Sequence, residues 1–153
     1  MRVKFKKLHP NAILPKYSKP GDAGMDLTAT TFALNKQFGH AEYGTGLAVE
    51  IPPGHVGLVF PRSSIAKTNQ TLANSVGVID ENFRGEIRLM FFPNAEGIAE
   101  IWHNPEVKIM PTYQVGDRIA QLIIMPFPHI TPEWADELSE TVRGADAFGS
   151  SGK

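Results

Sequence analysis

Twelve prolines and fourteen glycines are spread along the whole of this 153-residue chain and cut it into short segments. Proline lacks a backbone donor and glycine loses the most freedom on ordering, so neither lets a long regular element run through it. Several of the intervening segments are rich in branched and aromatic residues. Val3 and Phe5 alternate with lysines, and Leu47, Val49 and Ile51 alternate with smaller or polar residues, which predicts strands with one buried face. Val56 to Phe60, Ile87 to Phe92 and Ile119 to Phe127 predict more deeply buried strands. Pro52-Pro53-Gly54, Pro93-Asn94 and Val115-Gly116-Asp117 predict the turns between them. Many short strands with regular turns predict an all-β sandwich or barrel. Helical signals are confined to single turns. One is Ser63 to Lys67, with a serine hydroxyl as cap. The other is Thr131 to Leu138, where Trp134 and Leu138 lie four apart and Pro132 suits a first helical position.

The length fits one domain with a substantial core. A formal charge of −1 argues against a broad nucleic-acid-binding face, and no stable nucleic-acid binding is expected. A small anionic substrate needs only a few local cations. With no cysteine, disulfides and thiolate zinc sites are excluded. The basic start Met1 to Lys7 is followed by no apolar run, so neither a secretory leader nor a membrane span is expected, and the cytoplasm is the default location.

Five segments carry candidate chemistry, and each has a plainer structural reading beside it. Phe60-Pro61-Arg62-Ser63-Ser64-Ile65 places a cation and two hydroxyls where a strand gives way to a helical turn, a natural seat for phosphate, or simply a capped turn with a surface arginine. Asn74 to Gly85 reads as a hairpin, with Val78 and Ile79 leading in and Gly85 leading out. The Asn74 amide offers both a donor and an acceptor to a pyrimidine edge. Asp80 is a candidate general base, or a turn aspartate capping local amides. Asp22 and Asp26 stand four apart, a spacing that suits a hydrated magnesium but is also common in acidic glycine-containing loops. Gln121 is polar within an apolar run and needs partners from a ligand or the core. The tail from Arg143 has one aromatic among glycines and serines, so it is a frayed end or an arm that orders on a ligand. Five histidines fall in unrelated segments and read as surface or turn residues.

Taken in order, these segments resemble the five motifs of the trimeric dUTPase family. They are Ala-Gly-Met-Asp-Leu at 23–27, Pro-Arg-Ser-Ser at 61–64, Gly-Val-Ile-Asp-Glu-Asn-Phe-Arg-Gly-Glu-Ile at 77–87, Gly-Asp-Arg-Ile-Ala-Gln-Leu-Ile at 116–123 and Arg-Gly-Ala-Asp-Ala-Phe-Gly-Ser-Ser-Gly at 143–152. The resemblance implies a jelly-roll-type distorted β-barrel over residues 1–142. It also implies a homotrimer with sites at subunit interfaces and a C-terminal arm, 143–153, closing a neighbour's site. The implied reaction is magnesium-assisted hydrolysis of dUTP to dUMP and pyrophosphate, which limits uracil incorporation into DNA and supplies dUMP for thymidylate synthesis. By position, Asp80 would orient the attacking water. Asn74, Gly77, Val78, Ile79 and Arg88 would form the uracil pocket, with Phe83 packed on the deoxyribose. Arg62, Ser63, Ser64 and Gln121 would contact phosphates. Arg143 would hold the γ-phosphate, Phe148 would stack on uracil, and Gly149, Ser150 and Ser151 would add amides and hydroxyls. Asp26 would touch Mg2+ only through water.

Departures from the family pattern are Phe83, where tyrosine is usual, Asp146-Ala147, where two glycines are common, and a long stretch from Gly85 to Gly116 containing Trp102. Asp146 and Ala147 add charge and stiffness to the arm, so replacing both by glycine is expected to raise kcat/KM. Two alternatives compete. A dCTP deaminase of the same fold needs a proton-transferring glutamate where Met90 stands. A nucleotide-sensing or interaction protein would use the long stretch as its partner surface.

Overall fold

The computed structural model describes residues 1–35, 37–68, 70–93 and 113–145. Among these residues ten strands run in the order β1 (Lys4–Lys7), β2 (Met25–Thr28), β3 (Thr31–Asn35), β4 (His40–Gly44), β5 (Leu47–Glu50), β6 (His55–Pro61), β7 (Gln70–Leu72), β8 (Gly77–Ile79), β9 (Arg88–Pro93) and β10 (Arg118–Pro126), with a 3₁₀ turn at Ser63–Lys67 between β6 and β7. All pairings are antiparallel. One four-stranded sheet has the order β2-β10-β6-β8, the other β3-β4-β9-β7, and β1 pairs with β5. The all-β expectation holds. Among the described residues the ladders form open sheets rather than a closed barrel, because no hydrogen-bonded strand joins the edges of one sheet to those of the other.

Alternation along the strands explains the core. In β9, Leu89 and Phe91 are buried while Arg88, Met90 and Phe92 are exposed. One apolar cluster draws Leu27, Val59, Ile79, Ala120 and Leu122 from the first sheet and Ala41, Tyr43, Leu72, Leu89 and Phe91 from the second, so the core lies between them. Tyr43 is wholly buried; its hydroxyl donates to the Tyr113 carbonyl at 2.9 Å, and burial pushes its pKa up to about 12. β5 departs from the alternation expected at 47–51. Leu47, Ala48 and Val49 are all buried, so both faces of this strand are covered.

Several expectations change. β8 pairs with β6, whereas β9 pairs with β4 and β7, so Asn74 to Gly85 is a crossing between sheets and not a β-hairpin. Thr131–Leu138 forms no helix. Its Trp134 and Leu138 are fully exposed, and one unpacked turn cannot offset the cost of nucleation. His40 is buried, edge-on to Phe92, rather than at the surface. Most of the Gly85–Gly116 stretch, with Trp102, lies outside the described residues, as do Asp146, Ala147, Phe148, Gly149, Ser150 and Ser151. Among the described residues no helix is long and apolar enough to cross a membrane.

Candidate functional site

The crossing from β8 to β9 walls a cavity of about 290 Å3. Asn74, Gly77, Val78, Ile79, Asp80, Phe83 and Arg88 all line it, together with Glu86 and Met90. The predicted base-pocket residues are thus brought together. Strand pairing sets their frame: Gly77, Val78 and Ile79 are held by β6 through Val59, Leu58 and Gly57. Ile79 turns into the core, and Val78 on the opposite face is left exposed. Asp80, the first residue after the strand, is exposed, and its carboxylate takes no hydrogen bond or ion pair among the described residues. An ionised carboxylate with free lone pairs at a cavity rim is equipped to hold a water and accept its proton.

Phe83 lies over Gly85. A Cβ at Gly85 would stand 2.5 Å from the Phe83 ring, so only glycine lets the ring lie this close to the backbone. Arg88 reaches out of the cavity to Glu42, at 2.9 Å, and lies 3.9 Å from Glu86. Glu86 in turn accepts the Gly46 amide at 2.8 Å.

A second group of predicted residues gathers elsewhere on the same sheet. Asp26 on β2 is buried, and each of its carboxylate oxygens accepts one guanidinium bond. Arg62 Nε donates to Oδ1 at 2.9 Å, and Arg118 Nη1 donates to Oδ2 at 2.9 Å. Two cations about one anion leave a local charge of +1, suited to a polyanion, while the shared carboxylate fixes both guanidinium planes. Gln121 sits opposite Asp26 on one side and Phe60 on the other, and its side chain packs where a Cβ of Gly24 would come within 2.9 Å.

Ser63 and Ser64 follow in the 3₁₀ turn. Its N-cap is Arg62, whose side chain makes no capping bond, and not a serine. The Ile65 amide instead reaches the Arg62 carbonyl at 2.9 Å, and the Ser64 hydroxyl is buried without a partner among the described residues. Asp22 does not join Asp26; it caps the Lys19 amide in an exposed turn at 2.8 Å.

The two groups are not merged. None of Arg62, Ser63, Ser64 or Gln121 is among the described residues lining the cavity beside Asp80. Arg143 is exposed, beyond the last strand. Sequence reasoning missed Arg118, which shares the Asp26 carboxylate with Arg62. The signal for Arg118 was its place two residues after a turn glycine at a strand start, hidden by an irregularity in strand register.

The dUTPase family model matches residues 10–152. A deoxyuridine 5'-triphosphate nucleotidohydrolase of Picosynechococcus sp. is 39% identical over 153 residues, covering 99% of each chain. One from Corynebacterium glutamicum is 42% identical over 153 residues, covering 99% of this chain and 95% of that one. Among solved structures, Staphylococcus bacteriophage 80alpha dUTPase with dUPNHPP aligns with a TM-score of 0.78 at 26% identity, covering 99% of both chains. A mutant dUTPase from phage phi11 of S. aureus, described as coordinating a structural Mg(II) ion, aligns with a TM-score of 0.68 at 25% identity, covering 90% of this chain and 98% of that one.

Proposed function

The chain belongs to the dUTPase family, and on that premise we propose that it hydrolyses dUTP to dUMP and pyrophosphate, with Asp80 directing a water at the α-phosphorus. One observation carries the reading: an unpartnered carboxylate stands at the rim of a cavity built from Asn74 and the Gly77–Ile79 backbone. Asn74 and that backbone pair with the uracil edge, and a site wired to one donor–acceptor pattern leaves its own groups unpaired against cytosine. Phe83 covers the deoxyribose. Arg62, Ser63, Ser64 and Gln121 contact phosphates. The arm 143–153, attached to the 1–142 domain, brings Arg143 to the γ-phosphate and Phe148, Gly149, Ser150 and Ser151 over the nucleotide.

In the reaction Asp80 accepts a proton as the water oxygen bonds to the α-phosphorus and the bond to the bridging oxygen breaks, with pyrophosphate leaving. General-base help of this kind is worth roughly two to four powers of ten. Among the described residues no three His, Asp or Glu side chains cluster to hold a metal. Each Asp26 oxygen, bonded once to a guanidinium, keeps a lone pair for a water. This donor set fits Mg2+ carried on the substrate phosphates and met by Asp26 through water. When bound, the ion neutralises charge on the leaving pyrophosphate. The separation of the base-side cavity from the Arg62–Asp26–Arg118 cluster supports a homotrimer in which each site draws on more than one chain.

Deamination of dCTP is disfavoured, since Met90 lines the cavity and transfers no proton. Pyrophosphate release from dUTP, dTTP, dCTP and UTP with magnesium tests the proposal. Turnover of dUTP alone is expected, with Asp80→Ala slower by roughly a hundredfold or more. Intact dUTP, or an Asp80→Ala protein as fast as the native one, overturns it.

A further inference from the structure

The loop that follows Asp80 is tied down by the neighbouring side chain. Glu81 Oε2 accepts the backbone N–H of Gly54 at 2.8 Å, across 27 positions of sequence, in the turn between β5 and β6. That turn is a firm anchor. Gly54 holds φ at +71°, its carbonyl accepts the Phe127 amide at 3.1 Å just past the end of β10, and the His55 amide bonds the Pro52 carbonyl at 3.1 Å. Inside the loop, the Phe83 amide bonds the Asp80 carbonyl at 3.1 Å. Arg84 Nη1 donates to the carbonyls of Glu81 and Phe83 at 2.6 and 2.8 Å.

Asp80 has little packing to fix it. It lines the base-side cavity and also a further cavity of about 550 Å3, whose walls include His55, Glu81, Phe127 and His129. A carboxylate standing between two open spaces owes its direction to the backbone that carries it. On the N-terminal side that backbone is set by β8 pairing with β6, through Ile79 opposite Gly57. On the C-terminal side the first tether is the Glu81–Gly54 bond. The two tethers meet on one continuous segment, because Gly54 directly precedes β6, which carries Gly57.

We infer that Glu81 is a positioning residue for the hydrolytic reaction: by clamping the loop to Gly54 it fixes the aim of the Asp80 carboxylate. The inference rests on the assignment of Asp80 as the base. A one-ångström misplacement of a reacting group costs up to about a hundredfold. A surface clamp controls only part of that displacement, so a loss on the order of tenfold is expected.

Steady-state dUTP hydrolysis with magnesium, together with thermal melts, is measured for the native chain, Glu81→Ala and Glu81→Gln. Glu81→Ala is expected to lose about tenfold in kcat, with KM and melting temperature close to native. Glu81→Gln, whose amide oxygen still accepts the Gly54 N–H, is expected to recover most of that loss. A native rate in Glu81→Ala overturns the inference. So does a Glu81→Gln as slow as the alanine variant, which would make charge rather than the hydrogen bond responsible. A Glu81→Ala whose kcat falls only in step with KM and melting temperature points to general loosening and also overturns it. A native chain inactive on dUTP removes the assigned reaction and this inference with it, whereas an active native chain with an unaffected Glu81→Ala removes the inference alone.

Discussion

Replacing Asp26 by asparagine puts the largest stress on the Arg62–Asp26–Arg118 cluster. The native carboxylate is 7% exposed and bonds Arg62, which is 22% exposed, and Arg118, which is 50% exposed. The Arg62 bond is mostly shielded from water, so as a charge-assisted bond it contributes about 1.5–3 kcal/mol. The Arg118 bond is half in solvent and contributes about 0–1 kcal/mol after screening. Asparagine keeps one acceptor and turns the other oxygen into a donor facing a guanidinium. It also relieves the desolvation of a buried charge. The net loss is therefore about 2 kcal/mol, or roughly 4–8 °C in the unfolding midpoint for a chain of this size.

The local charge rises from +1 to +2 at the same time, which strengthens attraction for a polyanion in the absence of magnesium. Thermal melts with and without inorganic triphosphate, at low and high salt, read both effects. The variant is expected to melt lower when free, to gain more than the native chain from triphosphate at low salt, and to lose that excess at high salt. An unchanged midpoint would show that the two guanidinium bonds are incidental. Equal triphosphate increments in both proteins at low salt would show that the cluster does not face the phosphates.

Gly85→Ala places a methyl against the Phe83 ring and forces it off the loop. The expected result is little change in stability and reduced discrimination between dUTP and UTP, read from the ratio of their kcat/KM values. Tyr43 ionises near 12 in the fold because it is buried, against about 10 in the unfolded chain, so its contribution is complete below pH ~10 and is lost as pH rises through ~12. Tyr43→Phe is expected to cost about 1 kcal/mol at neutral pH through the lost bond to the Tyr113 carbonyl, and to flatten the alkaline decline in denaturant melts. Mixing Asp80→Ala chains with Arg62→Ala chains, after dissociation and reassembly, is expected to raise dUTPase activity above that of either variant alone. No rise would mean that each site is built within one chain.

Proline and glycine punctuation with short β-rich runs was enough to read the all-β class and the strands β1, β6, β9 and β10, because both are local properties. The sheet partners were not legible. Val78 and Ile79 lead toward Gly85 in a pattern identical to one arm of a hairpin, and only the packing of two sheets decides that β8 joins β6. Arg118 shows the same limit at the site. Asp26 lies opposite Gln121, three positions from Arg118, an odd count that would put the two β10 side chains on opposite faces. A register shift between Arg118 and Ala120 adds one residue and returns Arg118 to the face of Asp26. Composition carries no sign of that bulge. The burial of His40 is not legible either, because Phe92, which meets it edge-on, stands on β9, far away in sequence.

The same sheet geometry bears on how the site is completed. β2, with Asp26, and β8, which ends one residue before Asp80, are opposite edges of the β2-β10-β6-β8 sheet. Three inter-strand steps of about 4.8 Å separate them by roughly 14 Å. Along the strands, Asp26 is level with Phe60 through Gln121, whereas Ile79 is level with Gly57, a further three residues or about 10 Å. The diagonal is therefore roughly 17 Å before sheet twist is considered. In the proposed reaction Asp80 stands within one water of the α-phosphorus, and the two anhydride linkages from there to the γ-phosphorus are shorter than that diagonal. On the proposed reading, a nucleotide seated in the cavity of one chain lies far from that chain's own Arg62–Asp26–Arg118 cluster. The proposed homotrimer would supply the phosphate-binding cations from another copy, since a paired four-stranded sheet offers no hinge to bring its two edges together.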